Sequence, residues 1–170
     1  LVTAQGFSLS GNGGKVAYWA FQSPGLSTVN YDGTDLHSNI LTSVDSALSD
    51  DGQSVFYSPG GIWKANPDGT AAVLVKPYVP PLSYTIAAVS GNSGRLAVLD
   101  NGVIPGGHNP DGGEEVIAMD NTGSNVHQLT DLNVPASVIY SVVAAPDASR
   151  VFFLSADDLT GANAEHYGEI

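Results

Sequence analysis

The 170-residue sequence contains no cysteine and only 5 lysine and arginine residues, against 17 aspartate and glutamate residues. Without cysteine the chain can form neither a disulfide framework nor a thiolate metal site. At a net charge of −12 it lacks the basic surface that neutralises nucleic-acid phosphates or attracts anionic lipid headgroups. Nucleic acid is therefore not an expected partner.

Long apolar runs are also missing, since no stretch approaches the roughly 20 residues that span a bilayer. Membrane insertion is therefore not predicted. The sequence starts at Leu1-Val2-Thr3 with no basic segment, which is typical of a mature or trimmed end rather than a signal peptide. The absence of cysteine and the scarcity of lysine favour an exported bacterial protein, extracellular or periplasmic.

Glycine and proline are abundant, with 20 and 10 residues. They separate short apolar runs rich in β-branched and aromatic residues, a pattern that predicts many strands joined by tight turns. Helices would instead require apolar residues at a spacing of about 3.6 residues, rich in good helix formers.

One motif recurs along the chain: a short strand, a polar turn and a second apolar strand. Glycine, asparagine and aspartate stand in the turns, where hairpins require a positive φ. The four turns with their following strands are Gly11–Gly14 with Lys15–Trp19, Asp50–Gly52 with Gln53–Tyr57, Gly91–Gly94 with Arg95–Leu99, and Pro146–Ser149 with Arg150–Leu154.

A second hairpin follows in the first three units, with turns at Asn30–Thr34, Asn66–Thr70 and Asp120–Ser124. Each unit thus has four strands at a spacing of about 40 residues, the length of one β-propeller blade. The predicted fold is all-β, with about three complete blades of four antiparallel strands and a partial fourth. The third unit is lengthened by an insertion at Asp100–Glu114.

We expect one domain or segment over residues 1–170. The predicted blades are residues 4–42, 43–82, 83–131 and 132–170, the last of them incomplete.

The second unit resembles the PD40 repeat of TolB-like β-propellers. It has the turn Ser49-Asp50-Asp51-Gly52, a strand ending in Tyr57-Ser58, the pair Ile62-Trp63, and Asp68-Gly69-Thr70. The fourth unit has the related Pro146-Asp147, whereas the first and third have Gly-Asn instead. The resemblance covers nearly the whole chain and implies a propeller fold. It leaves function open, because such propellers serve as scaffolds, receptors and regulatory caps.

The alignment of the repeats places Ile170 at the start of a third strand and Leu1-Val2-Thr3 at the close of a fourth. Three interpretations remain open. The sequence is part of a propeller of six to eight blades, which we favour; or its last blade is completed by another copy; or four blades close imperfectly into a ring. A protein consisting of these 170 residues alone would be expected to self-associate.

An acidic loop in the third unit is a candidate calcium site. Asp111, Glu114 and Glu115 offer the carboxylate oxygens that a hard cation prefers. The alternative is that the acidic residues only stabilise turns through bonds to the backbone. Apart from calcium, no cofactor is predicted.

Ligand contacts are predicted at His108 and Asn109 and, in the equivalent loop of the fourth unit, at Asn163 and His166. Both loops join second to third strands and so reach the rim of the disc. The alternative is that these residues are solvated. The histidines lack the paired spacing of a zinc site.

The sequence has no Gly-x-Ser-x-Gly elbow and no cysteine nucleophile, so we predict no catalytic residue and no enzymatic activity. The favoured function is an interaction or scaffolding propeller that binds a protein partner or further copies of itself. Aromatic residues within the strands would stack on sugar rings where they are exposed, which makes carbohydrate a further candidate ligand. The alternative is that they pack in the cores between blades. The alternative function is the propeller part of a larger enzyme, as a hydrolase cap or a polysaccharide-active propeller, with catalysis elsewhere.

Overall fold

The computed structural model describes residues 4–20, 23–42, 46–77, 84–90, 94–102, 109, 112–132, 139–145 and 149–155. These residues form fourteen β-strands and contain no helix. In chain order the strands are β1 (Ala4–Leu9), β2 (Lys15–Ala20), β3 (Ser23–Asn30), β4 (His37–Thr42), β5 (Ser46–Leu48), β6 (Val55–Tyr57), β7 (Gly61–Ala65), β8 (Val73–Pro77), β9 (Tyr84–Ser90), β10 (Arg95–Asp100), β11 (Glu115–Asp120), β12 (His127–Gln128), β13 (Ile139–Ala144) and β14 (Val151–Ser155).

Consecutive strands pair antiparallel in four sheets. Sheet 1 contains β1 to β4, sheet 2 contains β5 to β8, and sheet 3 contains β9 to β12. The described strands of sheet 4 are β13 and β14. The prediction of an all-β chain built from four-stranded antiparallel units is confirmed.

The turn between the first and second strands is held by a serine and an acidic or amide side chain. In sheet 2, the Ser49 hydroxyl donates to Asp51 Oδ1 (2.6 Å) and accepts a bond from the Ser54 backbone nitrogen (2.9 Å). Ser10 and Asn12 make the equivalent bonds in sheet 1. The first unit therefore departs from the repeat in sequence but not in geometry, because an amide oxygen accepts the same bond as a carboxylate.

The turn between the third and fourth strands is equally regular. In sheet 2, Asp68 Oδ1 accepts bonds from the backbone nitrogen of Thr70 (2.9 Å) and from its hydroxyl (2.6 Å). Gly69 has a φ of 84°, a conformation that costs glycine little and other residues more. The same bonds recur at Asn30–Thr34 in sheet 1.

Apolar cores fill the spaces between successive sheets. The first core, between sheets 1 and 2, contains Ala17, Leu26, Leu48, Val55, Tyr57 and Ala65. The second core, between sheets 2 and 3, contains Ala47, Phe56, Ile62, Leu96, Val98, Ile117 and Met119. The third core, between sheets 3 and 4, contains Ala97, Leu99, Val116, Leu132, Ile139 and Val142.

Each inner strand of sheets 2 and 3 contributes to two cores, because successive side chains in a strand point to opposite faces of its sheet. In β10, Leu96 and Val98 pack in the second core, whereas Ala97 and Leu99 pack in the third. The strand is apolar without alternation because both of its faces are covered.

The outer face of sheet 1, opposite the first core, carries exposed apolar side chains. Phe7 is 69% exposed and Leu9 54%, and they lie directly across from Tyr18 and Val16 in the register of β1 and β2. The outer face of sheet 4, opposite the third core, is similar. There Val143 pairs with Phe152 across β13 and β14, and both side chains are exposed.

Candidate functional site

The turn between the first and second strands and the turn between the third and fourth strands lie at the same end of each sheet. This is because successive hairpins of an antiparallel sheet alternate between the two ends of its strands. We call the surface formed by residues 10–15, 30–36, 49–54, 66–70 and 120–126 the turn face. Neighbouring turns are bonded together: the Asn12 backbone nitrogen donates to Asp50 O (2.8 Å), and its side-chain amide donates to Asp51 O (3.2 Å). Sheets 1 and 2 therefore present their turns as one continuous surface.

A polar cavity of about 570 Å³ opens on the turn face between sheets 1 and 2. Its walls include Lys15, Asn30, Asp35, His37 and Asp68. These side chains come from both sheets, so the cavity depends on the packing of one sheet against the next.

Lys15 organises one wall of the polar cavity. Its ammonium group lies 2.7 Å from Asn30 Oδ1 and 2.9 Å from Asp35 Oδ2. Asp35 Oδ1 lies 2.9 Å from His37 Nε2. The Lys15 side chain is only 12% exposed and that of Asp35 is 51% exposed, so the lysine is a fixed support and the carboxylate remains accessible.

Three carboxylates of the turn face, those of Asp32, Asp35 and Asp68, are held in their ionised form by hydrogen bonds. The hydrogen bond from Lys15, followed by that from His37, keeps the pKa of Asp35 below its ordinary value. Hydrogen bonds from Thr34 and Thr70 lower the pKa of Asp32 and of Asp68 in the same way. Donors that bind the charged form favour ionisation, so this surface stays anionic through mildly acidic pH.

Glu115, one of the three predicted calcium ligands, is fully buried at the start of β11. Its Oε2 accepts a hydrogen bond from the Thr130 hydroxyl, and its Oε1 accepts one from the Leu132 backbone nitrogen (2.9 Å). Thr130 in turn accepts a bond from the Val116 backbone nitrogen (2.8 Å). The carboxylate thus ties β11 to the segment after β12, and a cation at Glu115 would compete with these donors.

Asn109, one of the predicted ligand contacts, is also buried. Its amide nitrogen donates to Gly113 O (2.9 Å) and Gly102 O (3.3 Å), and its amide oxygen accepts a bond from the Gly112 backbone nitrogen (3.0 Å). In the structure this side chain therefore joins the two ends of the long loop between β10 and β11.

The other predicted site residues are only partly accounted for. Glu114 is partly buried beside β11, while His108, Asp111, Asn163 and His166 lie outside the described residues. Within the described ranges, no group of three or more histidine, aspartate or glutamate side chains is placed to hold a metal ion. Both the calcium site and the rim-loop contacts stay predictions. No described helix has the length and apolarity needed to cross a membrane.

Sequence reasoning missed the polar contacts between sheets. Lys76 Nζ in β8 lies 2.6 Å from Asp100 Oδ2 at the end of β10, and the Asp100 side chain is only 2% exposed. The polar cavity was missed for the same reason. Its residues are far apart in the sequence, and no spacing rule connects side chains that meet only when two sheets pack.

No family model matches the sequence, and comparison with curated proteins gives no match. Solved structures do match. A chain of a nidogen/laminin complex is 14% identical with a TM-score of 0.67, covering 92% of this chain and 58% of its own length. A putative TolB from Agrobacterium tumefaciens is 18% identical with a TM-score of 0.58, covering 77% and 50%. An oligogalacturonate lyase from Vibrio parahaemolyticus is 11% identical with a TM-score of 0.58, covering 95% and 50%.

The fold is that of a β-propeller. Sheets 1 to 4 are propeller blades, and the resemblance to TolB-like propellers is confirmed at the level of the fold. The chain spans about half the length of these propeller structures. They include a chain from a protein complex as well as lyases, so the propeller fold is shared by binding proteins and enzymes.

Proposed function

We propose that this propeller is a non-catalytic, exported interaction module that binds a protein partner through its turn face. The observation that carries the proposal is the polar cavity between sheets 1 and 2, whose charged walls are fixed by the protein's own hydrogen bonds. Side chains that are already ordered lose little conformational entropy when a partner binds.

The charge of the turn face supports a partner with basic groups. Asp32, Asp35 and Asp68 are exposed there, and their bonding partners keep them ionised. Complementary charge increases the rate of association and selects among partners. A chain of a nidogen/laminin complex has the same fold, which supports a protein rather than a small molecule as the main partner.

The role of the turn face can be tested with two matched double variants. Asp35→Asn with Asp68→Asn removes two carboxylates from the turn face. Glu114→Gln with Asp131→Asn removes two carboxylates from the opposite end of sheet 3. Each variant and the wild type would be immobilised and incubated with secreted and periplasmic proteins of the source organism. Retained proteins would be quantified by mass spectrometry, and the dissociation constant would then be measured with the purified partner.

We expect one partner to be retained by the wild type and by the opposite-end variant, and lost from the turn-face variant. Equal retention by all three proteins would contradict the proposal. Cleavage of oligogalacturonate by the wild type would also contradict the proposal, and it would favour an enzymatic function instead. Export has a separate test: fractionation of cells expressing the tagged natural protein should recover it outside the cytoplasm.

The exposed outer faces support a second candidate function, self-association. Phe7 and Leu9 on sheet 1, and Val143 and Phe152 on sheet 4, are apolar like the side chains that pack between the sheets. The outer face of sheet 4 in one copy would pack on the outer face of sheet 1 in another. Such a head-to-tail contact gives closed rings or filaments.

Sedimentation velocity over a range of concentrations tests self-association. We expect the wild type to form dimers or larger species, and Phe7→Ser with Phe152→Ser to be monomeric. Tyr31→Ser, which removes an exposed aromatic residue from the turn face, is the control and should assemble like the wild type. A wild type that remains monomeric at about 100 μM, where even weak micromolar interfaces are occupied, would rule this function out.

A further inference from the structure

A second cavity lies between sheets 3 and 4 and differs in character from the polar one. Its volume is about 270 Å³, close to the lower limit of small-ligand sites. Its apolar walls come from β10, β11, β13, β14 and the residue after β12, with Ala97, Ala118, Ala144, Val151 and Leu129 among them. We call it the apolar cavity.

Basic side chains surround the mouth of the apolar cavity. Arg95 and Arg150, the two arginines of the chain, both line it together with His127. All three residues are exposed, whereas Leu96 and Ala97 in the wall are buried. Two of the 5 lysine and arginine residues in a chain of net charge −12 thus lie at one opening.

Carboxylates are absent from the described lining of this cavity, although they dominate the turn face beside it. Asp120 lies directly across from Arg95 in the register of β10 and β11, outside the lining of the cavity. The opening therefore combines positive charge with an apolar interior. An arginine guanidinium forms paired hydrogen bonds with planar anions such as carboxylates.

Leu129 offers exposed apolar surface at the apolar cavity. Its side chain is 47% exposed at the cavity, and its backbone nitrogen is fixed by a bond to Val116 O (2.8 Å). A ligand body about as large as a phenyl ring would cover Leu129 and the alanine walls, while its charged end remained at the mouth.

We propose that the apolar cavity is a binding site for a small organic carboxylate with an aromatic or branched apolar body. Arg150 holds the carboxylate at the mouth, and the alanine-rich walls receive the apolar body. The site is separate from the polar cavity of the turn face, so it does not depend on the protein-binding function.

Three probes with the same phenyl body test the site: 4-phenylbutyrate, the neutral 4-phenylbutanol and the cationic 4-phenylbutylamine. Binding would be followed by two-dimensional NMR titration of the wild-type chain. We expect 4-phenylbutyrate to shift the resonances of Ala118, Leu129 and Ala144. Because charge-assisted hydrogen bonds contribute strongly, we expect both other probes to bind at least about tenfold more weakly.

Arg150→Gln should weaken 4-phenylbutyrate binding by about tenfold or more, and Lys64→Gln is the control with the same loss of charge in sheet 2. Thermal melts would show whether each variant is folded. If Arg150→Gln does not fold, the comparison of the three probes on the wild type decides the question. The proposal is wrong if 4-phenylbutyrate does not bind below about 10 mM, if the three probes bind equally, or if Arg150→Gln and Lys64→Gln bind alike.

Discussion

At the scale of single residues, the turns are stabilised by a few hydroxyl and carboxylate groups placed at equivalent positions in successive sheets. Ser49 and Ser46 show how different two serines of one sheet can be. The Ser49 hydroxyl is buried and makes bonds to Asp51 and Ser54. The Ser46 hydroxyl is also buried, but no described group forms a hydrogen bond with it.

Ser49→Ala is therefore expected to lower the free energy of unfolding by about 1 kcal/mol, because the partly buried backbone nitrogen of Ser54 loses its partner. Ser46→Ala should be neutral or slightly stabilising, since it removes a hydroxyl that gains nothing from burial. Chemical denaturation of both variants measures the difference. Equal losses of unfolding free energy in the two variants would show that the hydrogen bonds of Ser49 do not add to stability.

The ionised carboxylates predict how stability depends on pH. Hydrogen bonding keeps the pKa of Asp35, Asp51 and Asp68 in the folded state below the ordinary value of 3.8. The unfolded state therefore binds protons first as the pH falls. Their stabilising effect is complete above pH 3.8 and is lost as the pH falls through the folded-state pKa values.

Denaturation midpoints should therefore decrease as the pH falls below about 4, and Asp35→Asn should reduce that dependence. Carbon-13 NMR titration of the carboxyl groups gives the direct measurement. An Asp35 resonance that titrates at or above pH 3.8 would contradict the assignment.

At the scale of elements, the residue that follows each Asp-Gly-type turn has a left-handed backbone conformation. Asp35, Ala71 and Asn125 occupy this position in sheets 1, 2 and 3, with φ values of 53°, 54° and 51°. Aspartate and asparagine tolerate this conformation better than alanine, whose Cβ approaches the following carbonyl oxygen. Sheet 2 thus carries local backbone strain at Ala71. In sheets 1 and 3 the strain at the equivalent position is smaller, because aspartate and asparagine occupy it.

Ala71→Gly should relieve this strain, whereas Ala72→Gly, one residue further along the same exposed segment, should only add entropy to the unfolded chain. We expect the two variants to differ by about 1–2 kcal/mol, with Ala71→Gly the more stable. Thermal melts of the pair measure the difference. If Ala71→Gly is as unstable as Ala72→Gly, the left-handed conformation costs alanine nothing here.

Elements within one sheet were the most predictable part of the fold. The four-strand unit follows from short apolar runs and turn residues, because hairpin partners are close in the sequence. The contacts of Glu115 and Asn109 were not predictable, since an acidic loop of this composition suits both a cation and a buried hydrogen-bond network. The polar cavity and the Lys76–Asp100 pair were also beyond the sequence, because they form between sheets whose side chains have no fixed spacing.

At the scale of the whole molecule, the sheets are joined by apolar cores and by a few polar bonds such as Lys76–Asp100. Lys76→Ala would leave the almost fully buried Asp100 carboxylate without its ammonium partner, although the Gly102 backbone nitrogen would still donate to it. We expect a loss of about 3 kcal/mol, typical of one-sided removal from a buried ion pair.

The double variant Lys76→Met with Asp100→Asn should recover much of that loss, because no uncompensated charge is then buried. A double-mutant cycle of Lys76→Met, Asp100→Asn and the double variant, measured by urea denaturation, separates the coupling of the pair from the two single effects. Lys15→Ala, which breaks the partly exposed Lys15–Asp35 pair, is the comparison and should cost less. If the effects of Lys76→Met in sheet 2 and Asp100→Asn in sheet 3 on the free energy of unfolding are additive, the pair does not couple the two sheets.

The alternating use of β10, with Leu96 and Val98 in one core and Ala97 and Leu99 in the other, restricts how the sequence can change over evolution. Inserting or deleting one residue in that strand would exchange its two faces and disrupt both cores at once. Natural length variation should therefore be confined to the loops, of which the connection between β10 and β11 is already the longest between described strands of one sheet. Substitutions at adjacent positions of β10 should in turn co-vary with residues of different neighbouring blades.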